Sequence, residues 1–79
     1  MTNDIGAQVK SIVETWANMS TEPAGTAILQ NLWANSGVSG SFPLGAQDLA
    51  QRLNSQLGSH ILGTDITTTM TVDQLIQMV

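Results

Sequence analysis

The chain has no cysteine, one histidine, two prolines and two cationic side chains in 79 residues. Without cysteine there is no disulfide, no thiolate nucleophile and no cysteine-type zinc site, and His60 is left as the only imidazole ligand. Lys10 and Arg52 stand against six carboxylates, for a formal charge of −4. Two cations cannot neutralise a run of phosphates, so binding to nucleic acid by counterion release is excluded. No apolar run approaches the roughly 20 residues that span a bilayer, and the first ten residues lack a basic region followed by an apolar core. The expected setting is cytoplasmic, with no membrane contact. Aromatic residues make up 4% and charged residues 10%, yet 42% of the chain is hydrophobic, a composition for one small globule packed with aliphatic side chains. Residues 1–79 are read as a single domain, because a second core does not fit in this length.

Apolar periodicity predicts helices. Ile5, Val9, Ile12, Val13 and Trp16 share one helical face within 3–19, and Thr2, Asn3 or Asp4 can cap its start. Pro23 and Gly25 break the chain, and Thr26 to Asn35 reads as a short helix or helical turn. A glycine- and serine-rich loop over 36–43 ends in a proline suited to the first turn of a helix, with Ser41 as N-cap. Leu44, Leu49, Leu53 and Leu57 mark the inner side of that helix, Gln47, Asp48, Gln51 and Arg52 the outer side, and Gly58 its end. Residues 59–70 read as a loop that must bury aliphatic side chains and can hold one helical turn. Thr71 with Gln74 three residues later is a capping box opening a last helix, with Val72, Leu75, Ile76 and Val79 inward. No period-two alternation and no repeat is present, so the expectation is an all-α bundle of three to four helices.

Little here could carry catalysis. His60 and Asp65 with a serine could be drawn as a hydrolytic set, but a lone loop histidine ordinarily serves as a solvated or capping group. Gly37 and Gly40 lack the preceding strand and following lysine of a phosphate-binding loop. The carboxylates are scattered, and those near helix starts are explained by the helix dipole. Trp16 belongs to the inner stripe of the first helix and reads as core; the four methionines read as gap-fillers. The chain is not expected to be an enzyme.

The segment Gly40-Ser41-Phe42-Pro43-Leu44-Gly45-Ala46-Gln47-Asp48-Leu49 resembles the opening of the second helix of acyl and peptidyl carrier proteins. That family's pattern is glycine, any residue, aspartate or histidine, serine, leucine, alanine two later and leucine three beyond. Gly40, Leu44, Ala46 and Leu49 hold the corresponding places. Leu57-Gly58 resembles the end of the same helix, and Thr71-Val72 with Leu75 the start of the family's final helix, so the likeness covers Gly40 to Val79. The resemblance implies a carrier-protein fold and a place in polyketide or nonribosomal peptide biosynthesis. It also implies that the serine bearing 4′-phosphopantetheine is replaced by Pro43, which has no hydroxyl, and that Phe42 replaces the polar neighbour. The expected cofactor is therefore none; the alternative is 4′-phosphopantetheine at Ser41, two residues too early. Carried over onto this chain, the family's recognition face comprises Leu44, Asp48, Gln51, Arg52 and Ser55. Only Asp48 is acidic and Arg52 opposes it, so Phe42 and Leu44 are expected to offer an apolar knob instead, unless Phe42 folds back into the core. The expectation is a monomeric, non-catalytic module that binds biosynthetic enzymes or megasynthase domains. The rival reading is an unrelated helical docking or adaptor domain.

Overall fold

A computed structural model describes residues 5–79. Among these residues the chain is an all-α bundle of four helices, α1 (Ile5–Trp16), α2 (Leu29–Ala34), α3 (Phe42–Leu57) and α4 (Val72–Met78), with a 3₁₀ turn at Gly63–Asp65. The expected caps Thr2, Asn3 and Asp4 lie outside the described residues. α1 packs against both α3 and α4, α2 lies on α3, and the 3₁₀ turn is held along α3.

The first helix stops before Met19. Asn18 takes the left-handed conformation (φ 55°), its N–H donates to the Thr15 carbonyl, and the Met19 N–H reaches back to Glu14 at 2.9 Å. That pair of bonds is a Schellman stop, which asparagine supports almost as glycine does. Val9, Ile12, Val13 and Trp16 are buried as their spacing predicts, whereas Ile5, expected on the same face, is 39% exposed at the first residue of the helix. The expected helix over 26–35 begins three residues later. Ile28 is extended and pairs antiparallel with Thr71, and the N–H groups of Leu29, Val72 and Asp73 donate to the carbonyls of Met70, Ala27 and Gly25. Backbone groups that a longer α2 would have used are satisfied across the chain instead.

In α3 the buried positions are Phe42, Gly45, Ala46, Leu49, Ala50 and Leu53, a stripe at helical spacing that starts at Phe42. Leu44 was expected to begin this stripe, but five residues of helix separate it from Leu49, a rotation of about 140°. It is 60% exposed. Ser41 stands at the N-cap with extended backbone, although its hydroxyl makes no capping bond; its carbonyl accepts from the N–H groups of Leu44 and Gly45. Gly58 ends the helix at φ 71°, where a side chain would be strained.

Beyond Gly58 the Asn54 side chain clamps the returning chain. Its amide donates to the Ile61 carbonyl and its oxygen accepts from the Ile61 N–H, both at 2.8 Å. This fixes where Ile61 and Ile66 enter the core, and both are buried. The 3₁₀ turn then lies so close to α3 that a Cβ on Gly63 would come within 2.9 Å of the Gln47 Cα. Thr71 and Gln74 form the capping box, Thr71 Oγ1 accepting from the Gln74 N–H at 3.2 Å and the Gln74 side chain accepting from the Thr71 N–H at 2.9 Å. Val72 and Leu75 are fully buried, and Ile76 and Val79 half-buried.

Candidate partner-binding face

The start of α3 is held by two indoles. Trp16 donates its ring N–H to the Gly45 carbonyl at 2.7 Å, and Trp33 donates to the Gly40 carbonyl at 3.2 Å. Their rings stack with centroids 5.0 Å apart and planes inclined by 22°. Each N–H thus has a partner, and both rings are buried. Ser36 supports the same corner, its hydroxyl donating to the Trp33 carbonyl at 2.6 Å and accepting from the Val38 N–H at 3.1 Å. The two tryptophans serve the core and the positioning of this helix start.

Around that anchored turn the sequence-derived residues separate. Leu44, Asp48, Gln51 and Ser55 recur at helical spacing and share the outer side of α3. Gln51 and Ser55 are exposed, and Asp48 is paired with Arg52, its carboxylate accepting from Nε at 3.2 Å one turn away. Both side chains remain more than a third exposed, so the pair contributes well under 1 kcal/mol, but it cancels the only carboxylate on this side. Phe42 does not project as a knob. Its ring is 7% exposed and joins the core, so the apolar protrusion is Leu44 alone. Pro43 is exposed in the first turn of α3, and Ser41 is exposed just before it.

Pro43 also borders an open cleft of about 250 Å³. Buried Phe42 and Ile66 line its depth, Pro43 and Gln47 come from α3, and Gly63, Thr64, Thr67 and Thr68 come from the opposite side. The residues after Gly58 that contribute were not singled out from sequence. The available signal was Ile66: burying it beside α3 carries the flanking threonines to the start of that helix. Asp65 does not face His60 as an ion pair; its carboxylate accepts from the Leu62 N–H at 3.1 Å. Among the described residues no three His, Asp or Glu side chains gather to hold a metal, and no helix is long and apolar enough to cross a membrane.

No protein-family model, curated protein or solved structure matches this chain.

Proposed function

We propose that the chain is a carrier-protein-like domain without an attachment hydroxyl at residue 43, acting as a non-catalytic protein–protein interaction module in a polyketide or nonribosomal peptide type of assembly system. The observation that carries this reading is Pro43 itself, exposed in the first turn of the long helix and bordering a cleft. Loading requires a hydroxyl oxygen to attack the pyrophosphate of coenzyme A and expel adenosine bisphosphate. A proline side chain offers no such oxygen. Support comes from the order within Gly40 to Val79 of a long helix, a short helical turn and a final helix, preceded by α1 and the six-residue α2. In this reading the domain is cytoplasmic and monomeric, and its partners are biosynthetic enzymes or megasynthase domains that contact Leu44, Gln51 and Ser55.

One observation favours a second reading. Ser41 is exposed and its hydroxyl is not spent on capping, which leaves it free for 4′-phosphopantetheine. Intact-mass measurement after incubation with coenzyme A and a phosphopantetheinyl transferase separates the two. The expected result is an unchanged mass for the natural chain and one phosphopantetheine adduct for Pro43→Ser. An adduct on the natural chain overturns the first reading in favour of the second, and a Pro43→Ser chain that stays unloaded favours an unrelated helical docking domain.

A further inference from the structure

The cleft beside Pro43 has a size and a charge environment that together narrow its occupant. Its volume of about 250 Å³ falls below the ~300 to 1,000 Å³ of pockets that enclose drug-sized ligands. It exceeds the ~150 Å³ that accommodates a benzene ring in an engineered cavity. One leucine or aromatic side chain is the scale it fits. Every residue lining it is uncharged, with Phe42 and Ile66 in its depth and threonine hydroxyls among its walls. Its two sides continue in sequence into the most exposed large aliphatic residues of the described chain. Leu44 follows Pro43 and is 60% exposed; Leu62 precedes Gly63 and is 66% exposed. The wall between them cannot collapse, because Gly63 already lies against the Gln47 backbone.

Charge selects among the segments that could bring such a side chain. Lys10 and Arg52 are the only lysine and arginine in the chain. Both are occupied, Lys10 with Glu22 at 3.8 Å and Arg52 with Asp48 at 3.2 Å. Outside those two pairs, the described Asp and Glu residues are Glu14, Asp65 and Asp73. Asp65 sits on the 3₁₀ turn beside cleft-lining Thr64, exposed to solvent. A segment that carries lysine or arginine next to its apolar anchor gains from this field, whereas an acidic segment is repelled by it.

We propose that the cleft between the first turn of α3 and the 3₁₀ turn docks one apolar side chain of a basic, amphipathic protein segment, with Leu44 and Leu62 flanking it and the exposed Asp65 on the adjoining turn, its carboxylate also accepting from the Leu62 N–H, as the nearest negative charge. This deepens the interaction-module reading and rests on it for the existence of a protein partner. The two fail separately. A phosphopantetheine adduct would overturn the unloaded-module reading while leaving the cleft able to dock a peptide.

The test is titration of the isotope-labelled full chain, followed by amide NMR, with two acetylated and amidated peptides. One places leucines at i, i+3, i+4 and i+7 with lysine elsewhere; the other replaces each lysine by glutamate. The expected result is saturable shifts confined to 42–48 and 62–68 with the lysine peptide, weakening as salt rises, and none with the glutamate peptide. Leu44→Asn and Thr68→Lys, both at exposed positions, are each expected to weaken binding at least tenfold with an otherwise unchanged spectrum. Equal binding of the two peptides, shifts centred elsewhere, binding unaltered by both substitutions, or no binding overturns the proposal. So does a concentration-dependent shift of the same residues without peptide, which would make a second copy of this chain the occupant.

Discussion

Replacing Gly45 by alanine sets two effects of opposite sign on one carbon. Gly45 lies inside α3 with ordinary negative φ, so propensity alone predicts that alanine stabilises the helix by about 1 kcal/mol. The surroundings reverse this. An added Cβ would sit 2.6 Å from Cε2 and 2.7 Å from Cδ2 of Trp33. To regain ordinary contact near 3.4 Å, that ring must retreat by about 0.8 Å. It cannot do so freely, because it is stacked on Trp16 and its N–H is tied to the Gly40 carbonyl. Trp16 is in turn tied to the carbonyl of Gly45 itself. Overpacking of a constrained core costs about 1 to 3 kcal/mol, and the rigid backing places this site in the upper part of that range. The net expectation is a loss of about 1 to 2 kcal/mol after the propensity gain is subtracted. For a domain of this size that lowers Tm by roughly 5 to 15 °C. Urea unfolding followed by circular dichroism measures it. The same substitution in a Trp33→Leu background removes the obstacle and should be neutral or stabilising by up to about 1 kcal/mol. A Gly45→Ala chain as stable as the natural one, or the same loss in both backgrounds, refutes the reasoning.

Two further perturbations test how the elements are held. Leu53→Ala empties a fully buried position of α3 and should cost about 2 to 5 kcal/mol in urea unfolding, and a loss below about 1 kcal/mol would show that the core can collapse around it. Thr71→Ala removes the oxygen that accepts the Gln74 N–H, for an expected loss of about 1 kcal/mol, whereas Thr71→Ser should retain most of the stability; equal losses from both would deny the cap its role.

Helices whose apolar residues recur over several turns could be read from sequence, and so could stops written in residues of special backbone chemistry. α3 and its end at Gly58, the Thr71–Gln74 cap and the inward set of α1 all follow local rules that the tertiary structure leaves intact. What escaped was decided by partners distant in the chain. Thr26 to Ile28 have acceptable helix pattern, yet residues 25–29 exchange backbone hydrogen bonds with 70–73, and no local pattern announces that. Phe42 and Leu44 are two apolar residues two positions apart on a helix, so roughly 200° of rotation sends one inward and the other out. Counting leucines favoured Leu44 for the stripe, while the Phe42-Ala46-Leu49-Leu53 spacing is the one that fills the core. The cleft was hidden for a similar reason. Five of its eight lining residues come from 63–68, whose place depends on the Asn54 clamp and on a glycine that permits close backbone approach. Of the outer positions, Gln51 follows from helical phase, whereas Leu44 and Ser55 came only from the resemblance, and phase read from the leucines had put Leu44 inward.

The antiparallel pairing of Ile28 with Thr71 has a consequence for the time order of folding. The stretch between Gly25 and Leu29 belongs to no helix and takes its conformation from a strip of chain more than forty positions downstream. During synthesis, α1 can coil as soon as it leaves the ribosome, but this tie must wait until Thr71 has been made, and closing so wide a loop carries an entropic penalty that local helices escape. The bundle therefore cannot set its first half before its second half exists. Its slowest step is expected to be the fastening of these two distant backbones, not the winding of any helix.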